Sequence, residues 1–382
     1  MRLPIGRILL SSLDIRAFCY AKNPPQLLYT FQNIITIMLT PSQILQLQTA
    51  IQNSKNPIFI FDDDADGLCS YLLLYRIKRE GHYFMLKAAP HLEAKFVKRI
   101  QDFNPDLIVI LDIPDVHQEF LDAFKIPIFW IDHHDPQQRH NVTYFNPKIK
   151  QPDSYFPTTR MAYQVANNPK DLWIATAGNL ADWHCPDFIE QAATLYPNYF
   201  PKKKRDLPTL VFKSKVGKLV QFFFFMIKGP SSDVARSIKL LGKIASPDEI
   251  FSPNSEDGNY LFKRFEMLNI MYEKLLVQAK EKATRSKILL FEYNDEQWSF
   301  TANLANELTT RYPKKVIIIA RKSQGFMKCS LRAQFPIEPA LKRALQGIEG
   351  YGGGHPTACG TVVKNEDWDR FLNQFKEELK RK

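Results

Sequence analysis

The chain has 382 residues, and its hydrophobic (45%) and charged (24%) fractions are typical of a soluble globular protein with room for two domains. Its net charge of +11 favours phosphate-rich partners, although a basic proteome background would explain the charge equally well. No apolar run reaches the roughly 18 residues of a membrane-spanning helix, so no membrane partner is expected. The five cysteines are odd in number and lack a CxxC pair, which argues against a disulfide scaffold or a structural zinc site and favours the cytoplasm.

Residues 1–37 show poor periodicity, and their arginines and serines give them a weak likeness to an organellar transit peptide. Met38 then opens a segment in which Thr40 is a candidate helix N-cap and Pro41 suits the first helical position. We therefore expect the compact fold to begin near Met38. Residues 1–37 are predicted to be a flexible tail or an upstream extension of the reading frame, and a cleaved targeting peptide is the less favoured alternative.

The sequence IFIF-DDDADG at residues 58–67 places a short apolar strand directly before four acids, Asp62, Asp63, Asp64 and Asp66. The following residues, Leu68–Arg79, have the apolar spacing of a helix. Four carboxylates this close repel one another unless protons or a cation neutralise them, and a helix N-terminus supplies only about half a positive charge. The segment is therefore a candidate metal site. The alternative is a polar turn in which one Asp caps the helix.

Two further apolar strands also end in metal-binding residue types. Leu107–Leu111 is followed by Asp112, and Ile126–Ile131 is followed by Asp132-His133-His134. Strands that alternate with helices predict a doubly wound parallel sheet, in which ligands bind outside the carboxyl ends of the strands. We expect a helix, Leu172–Asp182, to deliver Asp182 to the same region.

The other predicted elements complete a two-unit chain with a helical connector at residues 190–285. In the first unit they are a strand at Tyr83–Ala89 and helices at Glu93–Phe103 and Val116–Phe124. In the connector they are a solvated basic loop at Lys202–Arg205 and helices at Lys213–Gly229, Asp233–Ile244 and Asn259–Arg285. In the second, mixed α/β unit they are strands at Ile288–Glu292, Val316–Ala320, Met327–Ala333 and Thr361–Lys364, helices at Thr301–Arg311 and Pro336–Gln346, a glycine-rich loop at Gly350–Gly360 and a C-terminal helix.

Taken in order, DDDADG, LDIPD, IDHHDP, the Asp182 segment and GGGH resemble the DHH phosphoesterase family, and most closely its RecJ-like nucleases of the compact archaeal type. The resemblance covers about residues 38–382. It implies an α/β fold with a doubly wound parallel-sheet DHH domain at 38–189, a helical connector at 190–285 and a smaller mixed α/β DHH-associated domain at 286–382. The active site is then expected in the cleft between the two domains.

The resemblance also implies roles for individual residues. The metal ligands would be Asp62, Asp64, Asp66, Asp112, His133 and Asp182. Asp112 would bridge two metals, Asp63 would face away, and Asp112, His133 and His134 would be the catalytic residues. Substrate phosphate would be bound by His134, Ser330, Arg332, Gly352, Gly353, Gly354 and His355, unless Arg332 forms a structural ion pair instead.

The implied cofactors are two divalent cations, with Mn²⁺ favoured over Mg²⁺ because the ligands mix carboxylates with imidazole. Two such metals can activate a water and stabilise the attacking and leaving oxygens. The second motif departs from many relatives, since Asp112-Ile113-Pro114-Asp115 leaves the bridging role to Asp112 alone. Asp115 is interpreted as a turn or capping residue. The residues after GGGH leave no room for an OB-fold, so processive digestion of long DNA is not expected.

Three functions stay open. The first is an exonuclease or phosphodiesterase on single-stranded DNA or RNA. The second is a small-substrate enzyme: a nanoRNase, a pAp phosphatase or a cyclic-dinucleotide phosphodiesterase acting on short oligonucleotides or nucleotides. The third is a replication-associated scaffold related to RecJ, which is least favoured because no motif acid is missing. Replication or repair proteins and a second copy of the chain remain open as partners. Polarity and the choice between DNA and RNA are not encoded in a motif.

Overall fold

The computed structural model describes residues 38–87, 91–201, 206–294 and 298–380. The predictions for residues 1–37, for Ala88 and Ala89, and for the Lys202–Arg205 loop therefore lie outside the described residues. None of the helices in the described part of the chain combines the length and the hydropathy needed to cross a membrane. The proposed domain boundaries stay a prediction.

The N-terminal part is built around a five-stranded parallel sheet with the strand order β2-β1-β4-β6-β7. A separate parallel ladder pairs β3 with β5. The strands are β1 (Pro57–Asp62), β2 (His82–Leu86), β3 (His91–Leu92), β4 (Leu107–Leu111), β5 (Asp115–Val116), β6 (Ile128–Ile131) and β7 (Thr143–Phe145). The helices are α1 (Pro41–Asn53), α2 (Ala65–Lys78), α3 (Val97–Gln101), α4 (Gln118–Asp122), α5 (Thr158–Ala166), α6 (Leu172–Ala181) and α7 (Ile189–Leu195).

Apolar side chains cover both faces of this sheet, as expected for parallel strands. In β1, Phe59 and Phe61 join one buried cluster, whereas Ile58 and Ile60 join the cluster on the opposite face. The strands β1, β4 and β6 are direct neighbours in the sheet. Their carboxyl ends therefore meet at one edge, and the predicted doubly wound α/β fold is confirmed.

Five helices connect this part to the C-terminal part: α8 (Leu207–Lys213), α9 (Lys215–Met226), α10 (Ser231–Leu241), α11 (Asp248–Phe251) and α12 (Glu256–Glu281). The C-terminal part has a mixed sheet in the order β11-β12-β10-β9-β8. Its elements are β8 (Ile288–Asn294), α13 (Thr301–Arg311), β9 (Val316–Ser323), β10 (Phe326–Arg332), α14 (Glu338–Ala344), β11 (Gly350–His355), β12 (Ala358–Lys364) and α15 (Trp368–Lys380). Only β8 and β9 pair in parallel among the described strands of this sheet.

The glycine-rich segment differs from the prediction of a loop. Residues Gly350–His355 form β11, an edge strand that pairs along its whole length with β12. The ladder to β12 satisfies backbone groups that a loop would expose, and this outweighs the poor strand propensity of glycine. The sequence patterns do not predict the short strands β3, β5 and β7 or the helices α5, α7, α8 and α11. The helix predicted at Val116–Phe124 begins too early, because Val116 belongs to β5.

The buried Arg76 links α2 to the connector. It donates to Asp171 of the N-terminal part at 2.6 Å, and both side chains are only 3% exposed. The same guanidinium donates to the carbonyl of Leu241 at 3.0 Å and to that of Ile244. Arg76, oriented by Asp171, therefore fixes the end of α10 against α2.

Replacing Arg76 by alanine should destabilise the protein by about 3 kcal/mol, because it leaves the buried Asp171 carboxylate without its cation. The measurement is the melting temperature of Arg76→Ala beside wild type. The exposed Arg285→Ala is the control, expected to lie within about 0.5 kcal/mol of wild type. Equal melting temperatures for the two variants would contradict the role given to the Arg76–Asp171 pair.

Candidate active site

Asp66 lies at the start of α2, where the N-terminus of α5 holds its carboxylate. The backbone N–H groups of Thr158 and Thr159 donate to its two oxygens at 2.8 and 2.7 Å. The Thr159 hydroxyl donates to the Asp66 carbonyl at 3.1 Å. Burial and then the charge of Asp64 raise the pKa of Asp66 to about 7 despite these hydrogen bonds. The donors fix the orientation of this carboxylate but do not neutralise it.

The other acids of the first motif differ in their surroundings. Asp64 is the N-cap of α2 and accepts from the Gly67 N–H at 2.9 Å, and this capping does not decide between a polar turn and a metal site. Burial and then the charges of Asp64 and Asp63 raise the pKa of Asp62 well above its usual range. Lys228, from the connector, lies within electrostatic reach of Asp63 and Asp64; burial lowers its pKa and the two acids oppose that shift. Asp63 therefore lies on the side of the motif that faces Lys228.

Asp112 follows β4 in a left-handed backbone conformation, with φ of +61°. It is 2% exposed and accepts a hydrogen bond from the Thr158 hydroxyl at 3.1 Å. Burial and then the charges of Asp66, Asp64 and Asp182 raise its pKa well above the usual range. A left-handed aspartate is uncommon and often marks a functional position. Here the turn directs the carboxylate into the centre of the acids.

Three carboxylates converge on the Nε2 atom of His133. The distances from this nitrogen are 3.3 Å to Asp112 Oδ1, 3.6 Å to Asp182 Oδ2 and 4.0 Å to Asp66 Oδ2. Burial lowers the pKa of His133 well below its usual range, so the imidazole is neutral and suited to metal ligation. We call Asp66, Asp112, His133 and Asp182 the acidic centre.

Asp182 is placed at the end of α6, as predicted, and Tyr155 holds it there. The Tyr155 hydroxyl lies 2.7 Å from Asp182 Oδ2 and 2.8 Å from the Asp182 carbonyl oxygen. The Tyr155 ring also packs edge-on against His133, with centroids 5.5 Å apart. Tyr155 thus positions two members of the acidic centre.

His134 is oriented by a carboxylate of its own. Its Nδ1 bonds to Asp132 Oδ1 at 2.8 Å, and its backbone N–H donates to Asp132 Oδ2 at 3.0 Å. Burial opposes a charge on His134, but the hydrogen bond and charge of Asp132 raise its pKa to about 9. With Nδ1 held by Asp132, Nε2 is the ring nitrogen left for a substrate. The side chain is therefore a fixed cation beside the acidic centre.

The C-terminal hairpin reaches this region through His355. The rings of His355 and His134 are nearly parallel at 16°, with centroids 6.2 Å apart. Gly354 has φ of +132°, and a Cβ atom there would lie 2.6 Å from the Ala358 carbonyl oxygen. At Gly353 a Cβ would meet nothing within 4 Å. Gly354 is thus required by the hairpin itself, whereas Gly353 has open space in front of it.

Ser330 and Arg332 lie on β10 with their side chains on the same face. The Ser330 hydroxyl donates to Thr301 at 3.0 Å. Arg332 donates to the Asn306 side chain at 2.7 Å and to the carbonyls of Leu331 and Cys359 at 2.9 and 3.1 Å. No described carboxylate forms an ion pair with Arg332, which disfavours the structural ion pair considered from the sequence. Burial lowers its pKa to about 10, so the side chain keeps its charge at neutral pH.

The sequence patterns do not identify the side chains that position the site: Tyr155, Thr158 and Thr159, and Asp132 as the partner of His134. Asp66 and Thr159 are 93 residues apart, and no periodicity predicts such a contact. One signal was available. Pro157-Thr158-Thr159 precedes apolar residues at helical spacing, which is a helix start.

The donor set fits divalent cations. Within the described residues, ligand atoms of Asp66, His133 and Asp182 lie within 4.8 Å of one another, and so do those of Asp112, His133 and His134. Two buried acids, Asp66 and Asp112, and two partly buried ones, Asp62 and Asp182, have pKa values raised by desolvation and by their neighbours' charges. Buried like charges are retained where they coordinate a metal or are protonated.

Comparisons with known proteins agree with this architecture. The model of the DHH family N-terminal domain matches residues 57–195, and that of the DHHA1 domain matches residues 286–381. The chain is similar to RecJ from Thermus thermophilus in complex with Mn²⁺ (16% identity, TM-score 0.59, 89% of this chain and 54% of that one). It thus spans about half of that protein's length. The search of curated proteins gave no significant match.

Two further structures are similar along nearly their whole length. One is the exonuclease RecJ bound to manganese (14% identity, TM-score 0.58, 90% of this chain and 96% of that one). The other is the DHH domain of a member of the s1p family of ribosomal proteins (14% identity, TM-score 0.62, 88% of this chain and 89% of that one). At these identities the similarity establishes the fold. The two family models together match well over half of the chain and show that it belongs to the DHH family, and its fold is similar to that of RecJ.

Mn²⁺ should raise the melting temperature of the protein, and Asp112→Asn should abolish that rise. In the metal-free protein, Asp112→Asn should itself be stabilising, because it removes a buried charge that four neighbouring carboxylates repel. Differential scanning fluorimetry with EDTA and with Mn²⁺ measures both effects. The exposed Asp153→Asn is the control and should behave like wild type. A wild-type Mn²⁺ shift in Asp112→Asn would remove Asp112 from the ligand set.

Proposed function

We propose that the protein is a metal-dependent phosphodiesterase or exonuclease that hydrolyses single-stranded nucleic acid. The observation that carries the proposal is the convergence of Asp66, Asp112 and Asp182 on His133 Nε2. A neutral imidazole within 4.0 Å of three carboxylates, two of them buried, is a ligand set for divalent cations. Its place beyond the carboxyl ends of parallel strands is where α/β sheets bind ligands.

Two divalent cations, with Mn²⁺ favoured, would be held by Asp62, Asp64, Asp66, Asp112, His133 and Asp182. When bound, such ions lower the pKa of water and stabilise charge on phosphate oxygens. The protein's own groups fix the ligands. The Thr158 and Thr159 N–H groups hold Asp66, and the Tyr155 hydroxyl holds Asp182.

Two cationic side chains are suited to bind the scissile phosphate. His134 is held as a cation by Asp132, with Nε2 free of that bond. Arg332 bonds only neutral groups among the described residues, so its charge is not cancelled by a carboxylate. Charged donors to phosphate are roughly twice as strong as neutral ones. His355, in ring contact with His134, would approach the same phosphate from β11.

A basic and aromatic cavity favours a polymer as substrate. Its volume is about 400 Å³, and its lining includes Trp183, Phe212, Lys213, Lys215 and Lys218. Trp183 directly follows the ligand Asp182 and is 37% exposed. Asn306, the partner of Arg332, lines the cavity as well. Aromatic rings beside lysines suit single-stranded nucleic acid, in which bases stack and the backbone contacts cations.

The same metal-dependent hydrolysis would also suit a nanoRNase, a pAp phosphatase or a cyclic-dinucleotide phosphodiesterase. The substrates of these enzymes would occupy the acidic centre without extending into the cavity. A replication-associated scaffold would not need the acidic centre, and every predicted motif acid is present here. We therefore place nucleic acid hydrolysis first and treat both alternatives as outcomes of the substrate test.

With Mn²⁺, the protein should shorten end-labelled single-stranded DNA or RNA, and Asp112→Asn should reduce the rate at least about 1000-fold, since several kcal/mol of transition-state stabilisation depend on the ions. Denaturing gels measure product length, with pAp and a dinucleotide as parallel substrates. Asp153→Asn is again the control and should retain wild-type rates. Turnover of pAp or dinucleotides alone would reject the polymer substrate, and no turnover of any substrate would favour the scaffold.

Arg332→Ala should raise KM for the oligonucleotide about 10-fold or more, because it removes a buried cation from the phosphate site. Metal-induced thermal stabilisation should be unchanged, since Arg332 is not a ligand. Lys322→Ala, on the exposed side of the neighbouring strand β9, is the matched control. A wild-type KM in Arg332→Ala would exclude this residue from substrate binding.

A further inference from the structure

A second cluster of ligand-type side chains lies outside the acidic centre, on the small ladder of β3 and β5. His91 is the register partner of Asp115, and Leu92 is that of Val116. The His117 N–H donates to the Leu92 carbonyl at 3.0 Å, which extends the pairing by one step. Asp115, interpreted from the sequence as a turn or capping residue, is thus a strand residue. The pairing of β3 with β5 places it opposite His91.

Side chains alternate between the two faces of a strand, and this places four residues of the β3–β5 region on one face. Leu92 and Val116 point inward and are fully buried. The residues on either side of them, His91, Glu93, Asp115 and His117, therefore point outward together. Two imidazoles and two carboxylates are in this way presented on one face of a two-stranded ladder.

The distances within the cluster suit a single ion. Asp115 Oδ2 lies 2.9 Å from His91 Nδ1 and 3.5 Å from His117 Nε2. All three ligand atoms lie within 4.8 Å of one another. In a tetrahedral zinc site with metal–ligand bonds of about 2.0–2.2 Å, neighbouring ligand atoms are about 3.3–3.5 Å apart. Small side-chain movements would bring these atoms to that geometry.

Neighbouring charged residues orient the ligand atoms of this cluster and do not block them. Arg139 donates to Asp115 Oδ1 at 3.0 Å and to the Val116 carbonyl at 2.6 Å, which leaves Oδ2 toward the two histidines. Glu93 pairs with Lys95 at 2.8 Å. Lys95 first, and then His117 and His91, lower the pKa of Glu93, so this carboxylate is within electrostatic reach of both rings. Such outer partners commonly orient the ligands of a metal.

We propose that His91, Asp115 and His117 form a zinc site separate from the acidic centre, with Glu93 beside its open fourth position. Two imidazoles and one carboxylate favour Zn²⁺, whereas the carboxylate-rich centre favours Mn²⁺ or Mg²⁺. The cysteine pattern argues against a structural zinc site with cysteine ligands. The site proposed here has no cysteine ligand, so that argument does not apply to it. Asp115 is three residues after Asp112, and a bound ion would restrict the conformation of the turn between them. The proposal does not depend on the proposed function.

Zinc bound per chain tests the proposal. The full-length protein, His91→Ala and His117→Ala are equilibrated with buffered free Zn²⁺ and analysed by inductively coupled plasma mass spectrometry. His140→Ala is the matched control, because His140 is an exposed histidine of the same region that contacts a single acid, Asp122, at 3.5 Å. We expect His91→Ala and His117→Ala each to lose one zinc equivalent relative to wild type and His140→Ala. Equal zinc in all four proteins would reduce the cluster to a surface ion pair and overturn the proposal.

A gain-of-signal variant keeps the test decisive if an alanine variant folds poorly. His117→Cys preserves a zinc ligand, because a thiolate binds Zn²⁺ and Co²⁺. We expect this variant to retain the zinc equivalent. Its Co²⁺ form should show a thiolate-to-cobalt charge-transfer band that is missing from wild type and from His140→Cys. The lack of that band in a folded His117→Cys protein at saturating Co²⁺ would reject the site.

Discussion

The mutual repulsion of carboxylates buried at one sheet edge is the constraint on which the rest of the site depends. Asp62, Asp66, Asp112 and Asp182 each have a pKa raised first by burial and then chiefly by charges of the same cluster. At an effective dielectric constant of 20, two unit charges 4 Å apart interact by about 4 kcal/mol. A cluster of four such groups is therefore costly unless a compensating charge enters it.

The protein supplies partial compensation without removing the need for a cation. The N-terminus of α5 directs two N–H groups at Asp66, and Tyr155 donates to Asp182. A helix N-terminus is worth about half a charge, and a neutral hydroxyl contributes less. Lys228 offsets Asp63 and Asp64, but its own pKa is lowered by burial. These groups fix the orientation of the carboxylates, and the charge that they leave uncompensated has to be neutralised by protons or by a bound cation.

The parts that could be predicted from the sequence follow from local patterns. Apolar runs that end in acids identify β1, β4 and β6, and parallel pairing then requires Asp66, Asp112 and His133 to meet. Tyr155, Thr158 and Thr159 could not be found this way, because each acts across a separation of at least 27 residues through hydrogen bonds that no sequence periodicity encodes. The hairpin around Gly353 was missed for another reason. Glycine has weak strand propensity, and β11 exists because β12 pairs with it.

The two cationic side chains, His134 and Arg332, differ in how far neighbouring groups compensate their charge. Under the proposed function, this difference would affect how each binds a phosphate. His134 is charged because Asp132 stabilises the imidazolium, so much of its charge is already compensated by that acid. Arg332 is held by an amide and two carbonyls, which fix its position without cancelling its charge. Because Asp132 holds Nδ1, His134 would orient a phosphate oxygen through Nε2. Arg332 would contribute the larger net electrostatic attraction to the phosphate. Under the proposed function, a phosphodiester anion would contact metals held by the carboxylates of the parallel sheet and, on its other side, the cationic side chains of His134 and Arg332.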